Sequence, residues 1–275
     1  MVDWIEFRAA RVLHEDDAVL VLDKPAGISV VGERHHADVV DLAHDAGETL
    51  MPAHRIDKVT SGAVVFAKTA EAHASLARQF NHRSVEKAYL AIVRAADVPP
   101  RGSIDLPLSV GRKNRVRVAA ARSSIVVDEG HRSWSVAPSA VFADKRTYPA
   151  HTDFALVTND GDATLLVAEP VTGRRHQIRV HLAWIGFPIL GDPLFAGVPA
   201  ERTYLHAWQV AFDATWAGGR RVVVEAAPGP DFWVPLGGET PDHLLAAARE
   251  ARERIRSPGD EPGSPRRPPP AGPGA

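Results

Sequence analysis

Two short apolar runs open the chain, "AVLVLDKPAGISV" over residues 18–30 and "TSGAVVFAKT" over 60–69. Both are rich in β-branched residues and are bounded by turn formers, which is the pattern of buried strands rather than of helices. The first is expected to end in the Lys-Pro-Ala-Gly turn and the second to be entered through Thr-Ser-Gly. From 70 to 83 the period changes. In "AEAHASLARQFNHR", Ala72, Leu76 and Phe80 recur every four positions and predict a helix with one apolar side. "SVEKAYLAIVR" (84–94) returns to alternation and puts Val85, Lys87, Tyr89, Ala91 and Val93 on one face of a strand.

Further on, "HTDFALVT" (151–158) and "ATLLVAEPV" (163–171) predict a hairpin joined by "NDGD", a strong turn signal. Ile178, Leu182 and Ile185 fall at helical spacing between Thr172 and the Gly186/Pro188 stop, so a helix is expected over about 176–185. "HQIRVHL" also alternates; the length of the segment and the trailing glycine favour the helix. "YLHAWQVAF" and "RRVVVEAAP" read as closing strands, followed by a helix near 240–256. Residues 98–150, rich in Pro, Arg, Ser and short β-branched runs, carry no clear period. From Ser257 onward the Pro/Gly-rich composition predicts a disordered tail. The chain therefore reads as one ordered domain over 1–256 with a tail over 257–275.

A chain of 275 residues with 45% hydrophobic content can bury a substantial core. It has no cysteine, which excludes disulfides, thiolate nucleophiles and Cys-ligated zinc. No stretch approaches the roughly 20 apolar residues of a membrane span, and the N-terminus lacks an apolar signal core, so a cytoplasmic protein is expected. Net charge is only -2, yet it is unevenly spread. Residues 1–50 hold eleven acids against four Lys/Arg, residues 51–94 seven Lys/Arg against three acids, and residues 98–122 six against one. Basic stretches of this kind suit phosphates even in a near-neutral protein, although scattered surface charge would look the same.

Chemistry concentrates in two places. "HRIDKVTSG" crowds His54, Arg55, Asp57 and Lys58 between two core segments. The second cluster holds Arg174, Arg175, His176, Arg179 and His181, with Arg175 and Arg179 expected to share a helix face near an anion-attracting first turn. A solvated basic helix face is the plain alternative. No metal-ligand spacing is found among the thirteen histidines: His35 and His36 are adjacent, and His176 and His181 are five apart. Ser61 lacks the nucleophile-elbow context, and neither glycine pattern of phosphate or dinucleotide loops occurs. Lys24 suits either a phosphate contact or a turn cap.

Together these pieces resemble a known family. "HRIDKVTSG" followed by "AK" is similar to the signature of the RluA-type RNA pseudouridine synthases. "VLDKPAGISV", "QFNHRSVEKAYLAIV", "TGRRHQIRVHLAWIGFPILGDPLFAG" and "LHAWQVAF" agree in the same order, across roughly residues 13 to 213. The resemblance implies an α+β fold with a large, mainly antiparallel sheet, flanking helices and a central basic cleft. It also implies an enzyme that isomerises specific uridines in tRNA or large-subunit rRNA. Asp57 corresponds to the catalytic aspartate, Tyr89 to the active-site tyrosine against the base, and Arg179 to the arginine that pairs with the aspartate. Arg55 corresponds to the residue that fills the gap left by a flipped nucleotide. His54, Thr60, Arg174, His176 and Gln177 are expected to touch substrate.

Such a reaction is redox-neutral, so no metal or organic cofactor is implied. RNA is the partner, with no membrane and no protein partner, and a monomer is the simplest state. Ile56 and Lys58 replace a more usual Leu and Arg. The S4-type RNA-binding domain of many relatives is not expected ahead of "VLDKPAG", and 98–150 matches the family poorly. An RNA-binding or ribosome-assembly factor that keeps the fold without turnover is the competing reading; the presence of Asp57, Tyr89 and Arg179 argues against it.

Overall fold

The computed structural model describes residues 3–32, 37–111, 115–130, 132–197, 199–237 and 242–256. The tail expected to be disordered and the His35-His36 pair lie outside the described residues. The chain divides into two compact units. Among the described residues, the first takes those up to Tyr89 and Leu205–Pro228, and the second takes Leu90–Tyr204 and those from Gly229 to Arg256.

In the first unit, helix α1 (Trp4–Ala9) is capped by Asp3, whose carboxylate accepts from the Glu6 N–H. Strands β1 (Val12–Glu15) and β2 (Val19–Lys24) follow, then helix α2 (Val39–Asp45) behind a reciprocal Asp38/Asp41 capping box. Strands β3 (Met51–Pro52) and β4 (Ser61–Ala67) flank the candidate loop. Helix α3 (Ala70–Asn81), capped by Thr69, matches its predicted range closely, and β5 (Glu86–Val93) runs through the division between the units.

Strands from the C-terminal part complete the unit: β4 is flanked by β2 antiparallel and by β14 (Leu205–Ala214) parallel at Ser61–Gly62. Strand β15 (Arg220–Glu225) pairs β14 antiparallel. Alternate residues of β2 and β4 serve two cores. Val19, Val21, Ala63 and Val65 pack with Leu76 of α3, while Leu20, Leu22, Val64 and Phe66 pack with Trp4, Phe7 and Val39 of α1 and α2. Cover on both faces is why these strands read as unbroken apolar runs.

The segment without a clear period becomes six short strands in the second unit: β6 (Arg101–Asp105), β7 (Leu108–Val110), β8 (Val116–Val118), β9 (Ile125–Asp128), β10 (Ser133–Val136) and β11 (Thr147–Tyr148). The predicted hairpin is β12 (His151–Asp160) with β13 (Ala163–Pro170). Its strands extend into the expected loop, because Asp160 faces Ala163 and only Gly161 and Asp162, with Gly161 at φ +61°, form the turn. The strand order is β13-β12-β6-β10-β9, mainly antiparallel with β6 and β10 parallel, while β11-β7-β8 form a separate small sheet. Helices α4 (Gln177–Trp184), α5 (Pro230–Trp233) and α6 (Asp242–Arg256) complete the unit, and α6 is tied to β13 by Arg252 against Glu169 at 2.5 Å. This is an α+β architecture of mixed, mainly antiparallel sheet with flanking helices. No helix among the described residues is long and apolar enough to cross a membrane.

Candidate active site

The loop carrying Asp57 is held from several directions within the first unit. Before it, the chain zips along β4: Met51 faces Ala67, Pro52 faces Phe66, and the Ala53 N–H donates to Val65 O at 3.0 Å. The Val65 N–H donates to His54 Nε2 at 3.1 Å, and the His54 ring stacks on Phe80 with centroids 4.8 Å apart. Burial, together with the nearby Lys87 ammonium, lowers the His54 pKa to about 3. His54 is therefore neutral, carries its proton on Nδ1, and braces the strand; its Nε2 is not available to substrate.

Ile56 anchors the loop by entering the core, 8% exposed, while Arg55 and Lys58 on either side stay exposed and Asp57 is half-buried. The Thr60 N–H turns back to Asp57 O at 3.0 Å, and the Gly27 N–H reaches Lys58 O at 2.7 Å. Lys24 is buried at 2% exposure, with Nζ donating to Pro25 O at 2.7 Å and Ile28 O at 2.8 Å, and reaching Lys58 O at 3.4 Å. It stitches the Lys-Pro-Ala-Gly turn to the Asp57 loop, which is the turn-capping alternative of the sequence reading.

Beyond the loop, Ser61 and His206 hydrogen-bond at 2.8 Å, and His206 Nε2 lies 2.9 Å from Ala226 O. The carbonyl fixes the tautomer: Nε2 donates to it, so the Ser61 hydroxyl donates to Nδ1. Gly62 has φ +110°, and a Cβ there would stand 2.3 Å from Ala207 O, so no side chain fits this crossing of β4 and β14. The Thr60 hydroxyl is buried without a protein partner. Leaving such a group unmade costs about 1–3 kcal/mol, which suits a position that meets a ligand. The Tyr89 pKa is raised, chiefly by burial and then by the negative charge of Asp57. Its hydroxyl is held as the neutral phenol and feels the carboxylate.

The second cluster surrounds α4. The helix begins at Gln177, so Arg175 lies ahead of it; Arg175 is exposed while Arg179 is 2% exposed. The expected shared face does not form, and neither does a solvated basic face, because Gln177, Arg179 and His181 are all buried. Arg179 meets Asp192 bidentately, Nε to Oδ2 at 2.7 Å and Nη2 to Oδ1 at 2.8 Å, with the guanidinium 5.5 Å from the Phe195 ring centroid. Asp192 also accepts from the Leu194 and Phe195 N–H groups. "LGDPLFAG" was legible as a motif, yet nothing marked Asp192 as the partner.

Gln177, expected to touch substrate, has its amide fully engaged. Oε1 accepts from the Thr172 hydroxyl at 2.5 Å and the Arg174 N–H at 3.0 Å, and Nε2 donates to His151 O at 2.8 Å and Thr152 Oγ1 at 3.0 Å. These bonds shape the loop. His181 continues this chain between Thr152 Oγ1 and Leu106 O, each at 2.9 Å. Burial lowers its pKa to about 4, the Leu106 carbonyl opposing and His151 adding to the effect. His176 adopts a left-handed φ of 56° at the helix start, edge-on to Phe195. Arg174 is exposed beside the Tyr148 ring. Among the described residues no three His, Cys, Asp or Glu side chains gather as a metal would need.

A family model described as RNA pseudouridylate synthase matches residues 18–184. The chain is 33% identical over 245 residues to the ribosomal large subunit pseudouridine synthase D of Nitrosomonas europaea, covering 82% of this chain and 64% of that one. It is 34% identical over 204 residues to the dual-specificity RNA pseudouridine synthase RluA of Escherichia coli K12, covering 71% and 83%. The match thus spans just under two thirds of the Nitrosomonas relative. Among solved structures, human RNA pseudouridylate synthase domain containing 4 superposes with a TM-score of 0.65 at 24% identity, over 89% of this chain and 95% of that one, and so shares the fold.

Proposed function

Because the chain belongs to the RNA pseudouridylate synthase family, we propose that it isomerises uridine to pseudouridine in tRNA or ribosomal RNA with Asp57 as the catalytic carboxylate. It is an isomerase: the C1′–N1 bond breaks, the base turns, C1′–C5 forms, and the C5 proton leaves while N1 gains one. The observation that carries the reading is Asp57 itself, half-buried on a clamped loop and close enough to raise the pKa of the half-buried Tyr89 phenol.

Asp57 initiates glycosidic cleavage as the oriented anionic group that covalent or electrostatic catalysis requires. Tyr89 packs its ring against the base and works as a hydroxyl donor or relay, since its phenolate is not populated near neutral pH. Arg179 is assigned as the arginine partner of the aspartate, a role supported by the resemblance and by a guanidinium already ordered by Asp192. Exposed Arg55 fills the space left by the extruded nucleotide, offsetting part of the few kcal/mol that extrusion costs. Thr60, Arg174 and His176 contact the RNA. The protein acts in the cytoplasm, as a monomer, as one catalytic module over residues 1–256.

The test is tritium release from [5-³H]uridine-labelled RNA of a strain lacking the gene, followed by carbodiimide mapping of the pseudouridine formed. Release together with one restored site supports the proposal. Binding without release would sink it and leave the RNA-binding factor.

A further inference from the structure

The second unit pairs its buried arginines with carboxylates, Arg179 with Asp192 and Arg252 with Glu169. The loop before the hairpin, together with Arg174 from the loop after it, does the opposite. Among the described residues, Lys145, Arg146 and Arg174 have no carboxylate within ion-pair distance, and Asp144, the acid next to them in sequence, pairs with none of them. Their partners are aromatic. Lys145 Nζ stands 4.5 Å from the Phe142 ring centroid, and the Arg146 and Arg174 guanidinium carbons lie 5.1 and 5.5 Å from that of Tyr148.

Both rings are on fastened backbone. The Phe142 N–H donates to Ala119 O at 2.8 Å, and Tyr148 sits in the β11–β7 ladder opposite Leu108. Arg174 is further tied by Nε to Pro149 O at 3.2 Å, and both it and Arg146 are exposed. A cation resting on a ring gives up rotamer freedom before any ligand arrives, so an anion meets it at a smaller entropic cost. Guanidinium edges suit phosphate in particular.

We propose that Lys145, Arg146 and Arg174, held over Phe142 and Tyr148, form a docking surface for the phosphodiester backbone of the RNA outside the isomerised nucleotide. The inference rests on the RNA-modifying function proposed above. It assigns Lys145 and Arg146 of the poorly matching segment 98–150, with Arg174 beyond it, to recognition of RNA flanking the target rather than to the reaction itself.

The test compares wild type, Lys145→Gln/Arg146→Gln and Tyr148→Leu for affinity toward RNA from the deletion strain across a salt series, with tritium-release kinetics beside it. The double variant should bind about tenfold more weakly near 0.1 M salt, with a log–log salt slope flatter by about 1.5, since each phosphate contact contributes roughly 0.7 to 0.9. The loss should fall in KM, with turnover at saturating RNA retained. Tyr148→Leu keeps every charge, so it should weaken binding a few-fold at an unchanged slope. If it fails to fold, the double variant, which alters two side chains outside the core, decides alone. A double variant matching wild type in affinity and slope, or losing turnover instead of affinity, overturns the inference. A wild type that releases no tritium overturns the functional reading instead.

Discussion

Asp57 rides on a loop fastened by backbone hydrogen bonds and by one apolar side chain, Ile56, whereas Arg179 sits in a helix turn where Asp192 meets it twice, away from water. The bonds that shape the first loop run through carbonyls, those of Asp57 and Lys58, and through the buried Lys24 ammonium. The Asp57 carboxylate stays half-exposed beside exposed Arg55 and Lys58. In the second region the arginine charge is itself a structural member, because a buried guanidinium needs a counter-charge. The Asp57 loop is shaped through its backbone and through Lys24, whereas the Arg179 guanidinium is itself part of the scaffold.

This contrast is open to direct attack. Asp57→Asn should cut turnover by about a thousandfold or more, with melting temperature and RNA affinity near wild type, because the isosteric amide removes the charge proposed to react and keeps the size of the side chain. Tritium release, thermal melts and binding assays check it. A parallel fall in stability would make Asp57 structural and erase the difference between the regions.

Asp192→Ala should do the reverse first, costing about 3–5 kcal/mol in denaturant unfolding by removing the carboxylate that Arg179 meets twice. A stability close to wild type would show that the pair is not a brace. The burial of His181 supplies the next effect. Its folded pKa of about 4 lies below the ordinary 6.5, so the unfolded chain binds the extra proton first. Stability from this group is whole above pH 6.5, falls as pH drops from 6.5 to 4, and levels off below. The total is about 3 kcal/mol from linkage, read from unfolding at several pH values. A flat profile over that window would remove His181 from the account. The smallest effect concerns Tyr89. Asp57→Asn removes the secondary cause of its raised pKa but leaves burial, so phenol ionisation followed by ultraviolet absorbance should shift downward yet stay above that of a free tyrosine.

How much was legible follows from where each signal sits. Strands β2 and β4, helix α3 and the β12–β13 hairpin carry their pattern within one continuous segment, and all appeared close to the expected ranges. The six short strands between 101 and 148 did not, because strands of two to five residues are stabilised by neighbours far away in sequence: β6 lies between β12 and β10. The motif around Asp57 pointed to that residue, but not to Lys24 as the clamp on its loop. Around α4, residue types alone were misleading. The cluster reads as an anion-attracting helix start or a solvated basic face, yet Gln177, Arg179 and His181 are buried because Thr172, Thr152, Asp192 and Leu106 O satisfy them.

The sequence by itself determined the family, the candidate carboxylate and the elements whose apolar period is local. Motif order and side-chain periodicity are properties of the chain, legible before it folds. Tertiary structure alone decided which polar groups are available for chemistry. His54 and Gln177 share the composition of a binding site, yet their hydrogen-bonding atoms are engaged by Val65 N–H and by the 151–174 segment. The Thr60 hydroxyl is buried without a protein partner. Whether a polar atom is spent or available depends on partners that only the folded chain brings within hydrogen-bonding distance.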